Sequence, residues 1–167
     1  MLKKTLLALS ALSALSPAQA HVVFGSPNAK AGAFHVADLR IFHGCEGSPT
    51  TEVTLTIPDG VTRVRPRAVP GWTVSIEMKQ LDKPLMLHGA EVTETVGSVT
   101  WKGGSLPDFA YQEFEVHMMM PHHAEGGALS FPVTQLCEKG RLDWTEKALD
   151  EATFRTLEAP APYITLD

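Results

Sequence analysis

Short stretches with strand character recur along this chain and are separated by proline and glycine turns. Thr51 to Ile57 is the clearest, because apolar residues at 53, 55 and 57 alternate with polar ones, which predicts a strand with one buried face. Pro-Asp-Gly at 58–60 then forms a turn. Similar stretches occupy residues 22–27, 34–42, 61–69, 72–78, 92–101, 113–118, 129–136 and 141–144. This regular spacing predicts an all-β fold, a single antiparallel β-sandwich of the immunoglobulin or cupredoxin-like kind.

Composition excludes several other classes of protein. Twelve prolines and thirteen glycines argue against a helical bundle or a coiled coil, and only residues 144–157 show a weak helical period. With a net charge of −5 and only 7% aromatic residues, the chain lacks the basic surface and the stacking side chains that are typical of a nucleic-acid binder. A length of 167 residues suits a signal sequence followed by one domain over residues 21–167.

Residues 1–20 have the three parts of a secretory signal peptide. Lys3 and Lys4 form a basic start, residues 5–15 are apolar, and Ala18-Gln-Ala20 is a typical cleavage site. The apolar run is far shorter than the roughly 20 residues needed to span a bilayer. We therefore expect an exported, periplasmic protein that is cleaved after Ala20. With no later apolar run of membrane-spanning length, the mature chain is expected to diffuse freely.

Cleavage after Ala20 would make His21 the first residue of the mature chain. A histidine in that position carries two metal-binding nitrogens, the free α-amine and the ring Nδ1, which can close a chelate ring on one ion. Their ordinary pKa values, about 8 and about 6.5, leave only modest competition from protons near neutrality. Nitrogen ligands of this kind favour Cu(II). The sequence thus predicts a copper site at the processed terminus.

Two cysteines, Cys45 and Cys137, stand 92 residues apart. In an oxidising compartment an even pair favours one disulfide, which would contribute about 4–5 kcal/mol at most in the chain-entropy model. A copper-thiolate site is the alternative, because cysteine is a soft ligand for Cu(I). A bridge would bring residues 44–47 close to residues 135–144.

A Met/His run occupies residues 117–123, with the sequence HMMMPHH. Thioether and imidazole ligands suit Cu(I), so the run is a candidate second metal site. In the alternative interpretation Met118 and Met120 fill the core of a strand, whereas His122 and His123 lie in a solvated turn. Strand alternation, which divides the three methionines between two faces, favours that second interpretation.

Motifs for other chemistries are missing from the sequence. No G-x-S-x-G elbow, phosphate-binding glycine loop or H-E-x-x-H zinc pattern occurs. Glu113 and Glu115 share one face of a predicted strand, which is more typical of a solvated face than of an acid/base pair.

Several motifs in order resemble the YcnI-like copper-binding domain, an exported family, over essentially the whole mature chain. They are HV at 21–22, HGCEGSPT at 43–50, IPDGV at 57–61, PGW at 70–72, VTWKGG at 99–104, EF at 113–114, FPVTQLCEKG at 131–140 and Trp144. The resemblance implies a β-sandwich and a Cu(II) site called a monohistidine brace. In such a site the amine and ring nitrogen of one histidine act with a carboxylate, and a tryptophan lies beside the metal.

Carried over to this chain, the resemblance makes His21 the brace residue and Trp144 the tryptophan. Two residues are candidates for the carboxylate. Glu46 follows the first cysteine and would be drawn toward Trp144 by a disulfide, whereas Glu113 lies in the Glu-Phe motif on the polar face of a strand. Two nitrogens with carboxylate oxygens again favour Cu(II).

The expected function is therefore periplasmic copper binding, for buffering, trafficking or delivery, without enzymatic activity. Its expected partners are the copper ion and other periplasmic or membrane copper-handling proteins. One alternative is a copper oxygenase of the polysaccharide-cleaving kind, which needs a second brace histidine; the candidates are His35, His43, His88 and His117. Another alternative is a metal-free structural sandwich.

Overall fold

The structure is a computed structural model that describes residues 21–87 and 89–167. The predicted signal peptide, residues 1–20, and the candidate ligand His88 lie outside the described residues. Both therefore stay predictions.

Strands dominate the described residues, as predicted. In chain order the elements are β1 (Val23–Phe24), β2 (Asn28–Ala29), β3 (Phe34–Ile41), β4 (Thr50–Thr56), β5 (Thr62–Pro66), β6 (Thr73–Leu87), β7 (Ala90–Leu106), β8 (Gln112–Met119), a 3-10 turn (Glu125–Gly127), β9 (Ala128–Ser130), β10 (Val133–Cys137), β11 (Arg141–Trp144), α1 (Glu151–Phe154) and β12 (Tyr163–Leu166). Among them, no helix is long and apolar enough to cross a membrane.

The strands form two main sheets and one small one. The first sheet has the order β1-β3-β8-β5 and the second the order β11-β10-β4-β7-β6, with antiparallel pairing throughout both. A third sheet joins β12 to β9 in antiparallel and to β2 in parallel pairing. The predicted β-sandwich is confirmed.

The core lies between the two main sheets and is centred on large aromatic side chains. Trp101 from β7 and Phe114 from β8 are both fully buried, with ring centroids 5.2 Å apart. The indole N–H of Trp101 donates to the carbonyl oxygen of Arg67 at 3.0 Å. This bond satisfies the polar atom of the indole within the core, as burial of a tryptophan requires.

Several elements differ from the sequence prediction. Residues 129–136 form two strands, because Pro132 between β9 and β10 cannot donate a ladder hydrogen bond. The β6–β7 hairpin continues beyond the predicted ends, over exposed residues that carry little apolar alternation. The helical period of residues 144–157 is realised only in the four residues of α1, and β12 was not predicted.

The predicted disulfide joins Cys45 to Cys137, with their Cα atoms 5.9 Å apart. Both sulfurs are therefore committed to the bond, and the alternative of a copper-thiolate pair is wrong. The bridge fastens the connection between β3 and β4 to the end of β10. It thus brings the loop that follows β3 of the first sheet against the end of β10, an inner strand of the second sheet.

Candidate metal centre

An open cleft of about 630 Å³ lies where these two parts meet. We call it the tryptophan cleft, after Trp144 in its wall. Its lining residues are His43, Gly44, Glu46, Gly47, Asp108, Leu142, Asp143, Trp144, Glu146, Glu158 and Ala159. These residues belong to the β3–β4 connection, the β7–β8 connection, β11 and the segment between β11 and β12.

His21 lies beside this cleft, two residues before β1. Its half-buried ring meets Trp144 edge-on, with centroids 6.2 Å apart, and meets Phe154 of α1 with centroids 5.2 Å apart. Partial burial and, second, the charge of nearby His43 lower the pKa of the His21 imidazole. A lowered pKa reduces the competition between protons and a metal ion for the ring nitrogen near neutrality.

Trp144 ends β11, the edge strand of the second sheet, and is 4% exposed. Its indole N–H donates to Oε1 of Gln135 on β10 at 3.1 Å. The neighbouring strand therefore fixes the plane of the indole ring. Two imidazole rings, those of His21 and His43, meet that ring edge-on at 6.2 and 5.9 Å between centroids.

Gln135 is a fully buried polar residue that holds this arrangement together. While its Oε1 accepts from Trp144, its Nε2 donates at 2.7 Å both to the carbonyl oxygen of His43 and to Oγ1 of Thr50. Both donors and one acceptor site of the amide are thus satisfied. Gln135 belongs to the motif at residues 131–140, but the sequence alone assigned it no role. The signal that could have marked it is a glutamine at an inward-facing position of a strand whose other inward-facing residue, Val133, is apolar.

His43 follows β3, and its ring is also held locally. Nδ1 lies 2.6 Å from the carbonyl oxygen of Gly44, and the Gly44 N–H donates to Oδ1 of Asp108 at 2.8 Å. Because a carbonyl oxygen accepts only, Nδ1 carries the proton in the neutral ring and Nε2 carries the lone pair.

The two candidate glutamates lie in different places. Glu46 lines the tryptophan cleft, is exposed, and has a left-handed backbone with φ of 50°. Glu113 lies on β8 opposite Arg40 of β3, and its carboxylate meets the guanidinium at 3.0 Å. Glu113 is not among the residues that line the cleft. The structure thus brings Glu46 together with Trp144, and pairs Glu113 with a cation on the first sheet.

Four further carboxylates line the tryptophan cleft, and three of them have partners. Asp108 accepts from Gly44, Glu146 accepts from the Ala159 N–H, and Asp143 pairs with Arg141 at 2.7 Å. The hydrogen bond from Arg141 holds the pKa of Asp143 below its ordinary value. Glu158 is the fourth. This excess of negative charge favours the approach of cations over anions.

Side chains alone do not complete a metal site. Within residues 21–87 and 89–167, no group of three or more His, Cys, Asp or Glu side chains is placed to hold a metal ion. A site at His21 therefore needs a donor beyond those side chains. The free α-amine that cleavage after Ala20 would expose is such a donor, which makes the local chemistry compatible with a brace.

The other described histidines lie away from the tryptophan cleft and from His21. His35 bonds the Ser26 carbonyl oxygen at 3.1 Å, and the ring of His117 stacks on Phe34 at 4.8 Å. Met118 and Met120 are buried in the core, whereas His122 and His123 are exposed. The packing interpretation of the Met/His run is thus confirmed for these four residues.

Comparison with known families identifies the chain. A family model described as "Domain of unknown function (DUF1775)" matches residues 21–166. The chain belongs to the DUF1775 family. YcnI-like proteins are members of it, so the resemblance in sequence is supported at the level of the family. A search of curated proteins finds no match.

A solved structure similar to this DUF1775 protein has an immunoglobulin-like fold. An uncharacterised protein from Nocardia farcinica, with an immunoglobulin-like fold, is 28% identical, and the match covers 87% of this chain and 97% of that one with a TM-score of 0.65. A type I cohesin, the seventh of ScaB from Pseudobacteroides cellulosolvens, is 8% identical over 88% of this chain and 91% of its own, with a TM-score of 0.42. The first supports the fold; the second is too distant to bear on function.

Proposed function

We propose that this protein binds Cu(II) in the periplasm through the N-terminus of its mature form. In this proposal signal peptidase cleaves after Ala20, and the α-amine and Nδ1 of His21 chelate one ion. The observation that carries the proposal is the position of His21, whose ring lies against the buried Trp144 at the edge of an acidic cleft. Trp144 would shield one side of the ion from water.

A carboxylate completes the proposed ligand set, and Glu46 is the better candidate. It lines the cleft with Trp144, whereas Glu113 is paired with Arg40. A copper ligand at Glu113 would first have to leave that ion pair. Nitrogen and carboxylate donors together form a set that suits Cu(II) rather than Cu(I).

The role that follows is buffering, trafficking or delivery of copper rather than catalysis. The cleft is open and all its carboxylates except that of the half-buried Asp108 are exposed to solvent, so an ion bound there would be accessible to a partner protein. We expect such partners among periplasmic or membrane copper-handling proteins, which exchange ligands with bound copper.

Copper titration of the mature protein tests this proposal. The experiment compares protein that begins at His21 with protein that carries one extra residue before it, after mass spectrometry has established each terminus. The extension converts the amine to an amide and removes the chelate ring, so we expect Cu(II) affinity to fall at least about a hundredfold, the loss of one strong nitrogen ligand. Equal affinities would contradict the proposal.

A copper-dependent oxygenase is the second candidate function, and one observation favours it. The oxygenase alternative needs a second histidine, and His43 lies against the same tryptophan as His21. The copper-loaded mature protein would then release oxidised sugars when given a polysaccharide and a reductant. We rank this function below copper handling because most of the potential ligands that line the cleft are carboxylates, and His43 is the one histidine among its lining residues.

A further inference from the structure

The second sheet extends one strand beyond the first. β5, the last strand of the first sheet, packs against β7, whereas β6 lies further out, at the edge of the second sheet. Ile76 and Met78 of β6 share a face with their cross-strand partners Val99 and Val96, which are buried. They therefore point toward the side of the core, yet they are 48% and 50% exposed. Among the strands that the structure describes, none in the first sheet lies beyond β5 to cover them.

An open groove of about 700 Å³ runs along this uncovered face, and we call it the edge groove. Its lining comes from β5, β6 and β7, with Phe34 of β3 and His117 of β8 at one end, where their two rings stack with centroids 4.8 Å apart. The edge groove shares no lining residue with the tryptophan cleft. A contiguous exposed apolar surface with polar residues at its rim is typical of a binding site.

Two arginines give the edge groove a positive charge. Arg63 and Arg65 of β5 are exposed and line the groove, and neither forms an ion pair with any residue that the structure describes. Arg67, just after β5, is by contrast paired with Glu115 of β8 at 2.7 Å. Glu94 is the one acidic residue in the lining. In a chain with a net charge of −5, this local excess of cations favours an acidic ligand.

Strand alternation specifies the pattern of that ligand. Val64 of β5 is buried in the core, whereas Arg65 points outward with its cross-strand partner His117. An extended segment beside β5, as the next strand of the first sheet, would direct every second side chain onto Ile76 and Met78. The side chains between them would lie next to Arg65. The first set is then apolar and the second set acidic.

We propose that the edge groove binds an extended segment of a partner protein in which apolar residues alternate with Asp or Glu. Addition of a strand to the edge of a sheet is a recurring mode of peptide recognition. The segment would match the five residues of β5, Thr62–Pro66. This site is separate from the proposed copper site and does not depend on it.

Two other occupants fit the edge groove less well. A second copy of this chain that paired β5 with β5 would bring the exposed arginines of the two copies together, which is destabilising. An anionic bilayer is a flat surface, whereas the apolar side chains line a groove, and the net charge of −5 opposes its approach. A peptide segment satisfies both the shape and the charge.

Selection from a displayed library of random linear peptides, against the immobilised mature protein, tests the proposal. We expect the enriched peptides to alternate apolar residues with Asp or Glu. Fluorescence polarisation then measures the affinity of one enriched peptide in solution. Failure to enrich any peptide, or enrichment of peptides without acidic residues, would overturn the proposal.

Ile76→Ser and Arg65→Glu test the apolar and the cationic parts of the groove separately. We expect each to weaken binding of the enriched peptide at least about tenfold. Met86→Ser and Lys102→Glu are the matched controls and should bind as the wild type does, because both residues are exposed and neither lines the groove. Thermal unfolding establishes that each variant is folded. Unchanged affinity in folded Ile76→Ser or Arg65→Glu protein would refute the proposal.

Two further measurements distinguish the other occupants. Binding of the mature protein to phosphatidylglycerol vesicles, lost in Arg65→Glu, would assign the groove to a membrane surface. Concentration-dependent dimerisation in analytical ultracentrifugation, lost in Ile76→Ser, would assign it to a second copy of the chain. Either result would overturn the proposal, and we expect the wild-type protein to show neither.

Discussion

Two groups of residues in this molecule have side chains of the types that bind copper. The fold brings the members of one group together and separates the members of the other. His21, beside the tryptophan cleft, and His43, in its lining, belong to different segments of the chain, yet both lie against Trp144. The Met/His run is continuous in sequence, yet β8 separates its members. Met118 points into the core, whereas the flanking His117 is exposed.

The difference follows from strand geometry. Successive side chains on a strand point to opposite faces, so a continuous run cannot direct all its donors to one ion. A cleft between two sheets, by contrast, receives side chains from elements that the chain connects only distantly. In this protein the disulfide and Gln135 make the second arrangement rigid. Convergence in space, rather than density in sequence, therefore marks the better candidate for a metal centre.

The comparison is tested most strongly in the Met/His run itself. Met118→Ala removes a fully buried side chain, and we expect the free energy of unfolding to fall by about 2–5 kcal/mol, the usual range for such cavities. Met119→Ala, at a partly exposed position on the opposite face, is the matched control and should have a smaller effect. Chemical denaturation measures both. Neither variant should change the Cu(II) stoichiometry; a loss of bound Cu(II) in folded Met118→Ala protein would give the run a metal role.

A loss of stability of similar size is expected at the tryptophan cleft. Gln135→Leu leaves the indole N–H of Trp144 and the buried Oγ1 of Thr50 without their partner, so we expect a loss of about 1–3 kcal/mol per unsatisfied group at most. Because both imidazoles rest on Trp144, Cu(II) affinity should fall as well. Gln80→Leu, which removes an exposed amide bonded to Glu94, is the control and should leave both quantities unchanged. Normal Cu(II) affinity in folded Gln135→Leu protein would show that the network does not position the site.

The fold was largely predictable because its strands obey simple alternation. Residues 51–57 have one buried face, and the structure places Val53 and Leu55 fully in the core. The outer parts of the β6–β7 hairpin escaped prediction for the converse reason. They extend past the core, so neither face carries the apolar period on which the inference depends. β12 was missed because it completes a small third sheet whose partners, β2 and β9, are two and three residues long.

The candidate site was less predictable because its contacts depend on register. The pairing of His21 with Trp144 followed from a family resemblance, and the structure brings the two rings together. His43 was one of four equivalent histidines in sequence, and only the three-dimensional path of the β3–β4 connection distinguishes it. The role of Gln135 likewise depends on β10 lying between β4 and β11, which alternation does not specify.

The two candidate carboxylates provide a smaller test of the same principle. Glu46→Gln removes a charge from the cleft beside Trp144, and we expect Cu(II) affinity to fall about tenfold, equivalent to about 1.4 kcal/mol. Glu113→Gln is the matched variant and should change Cu(II) affinity little, because that carboxylate is engaged by Arg40. Isothermal titration of the mature proteins with Cu(II) measures both. The reverse order of effects would place the ligand on the first sheet.

The smallest effect is expected at α1, which holds Phe154 against the ring of His21. Asp150 caps this helix by accepting from the Thr153 N–H at 2.8 Å, and that bond lowers the pKa of its carboxyl below the ordinary value of 3.8. Because the pKa of this carboxyl is lower in the folded protein, the cap makes its full contribution to stability at pH values above the ordinary pKa. That contribution is lost as the pH falls through the lowered pKa of the folded state. Asp150→Ala should therefore reduce the melting temperature slightly at neutral pH, and the difference from wild type should shrink as the pH falls below the ordinary carboxyl pKa of 3.8. A difference in melting temperature that stayed constant with pH would show that the charge of the cap contributes nothing. In NMR spectra of the Asp150→Ala protein, a changed signal of His21 with unchanged signals from the Met/His run would show that α1 acts on the tryptophan cleft alone.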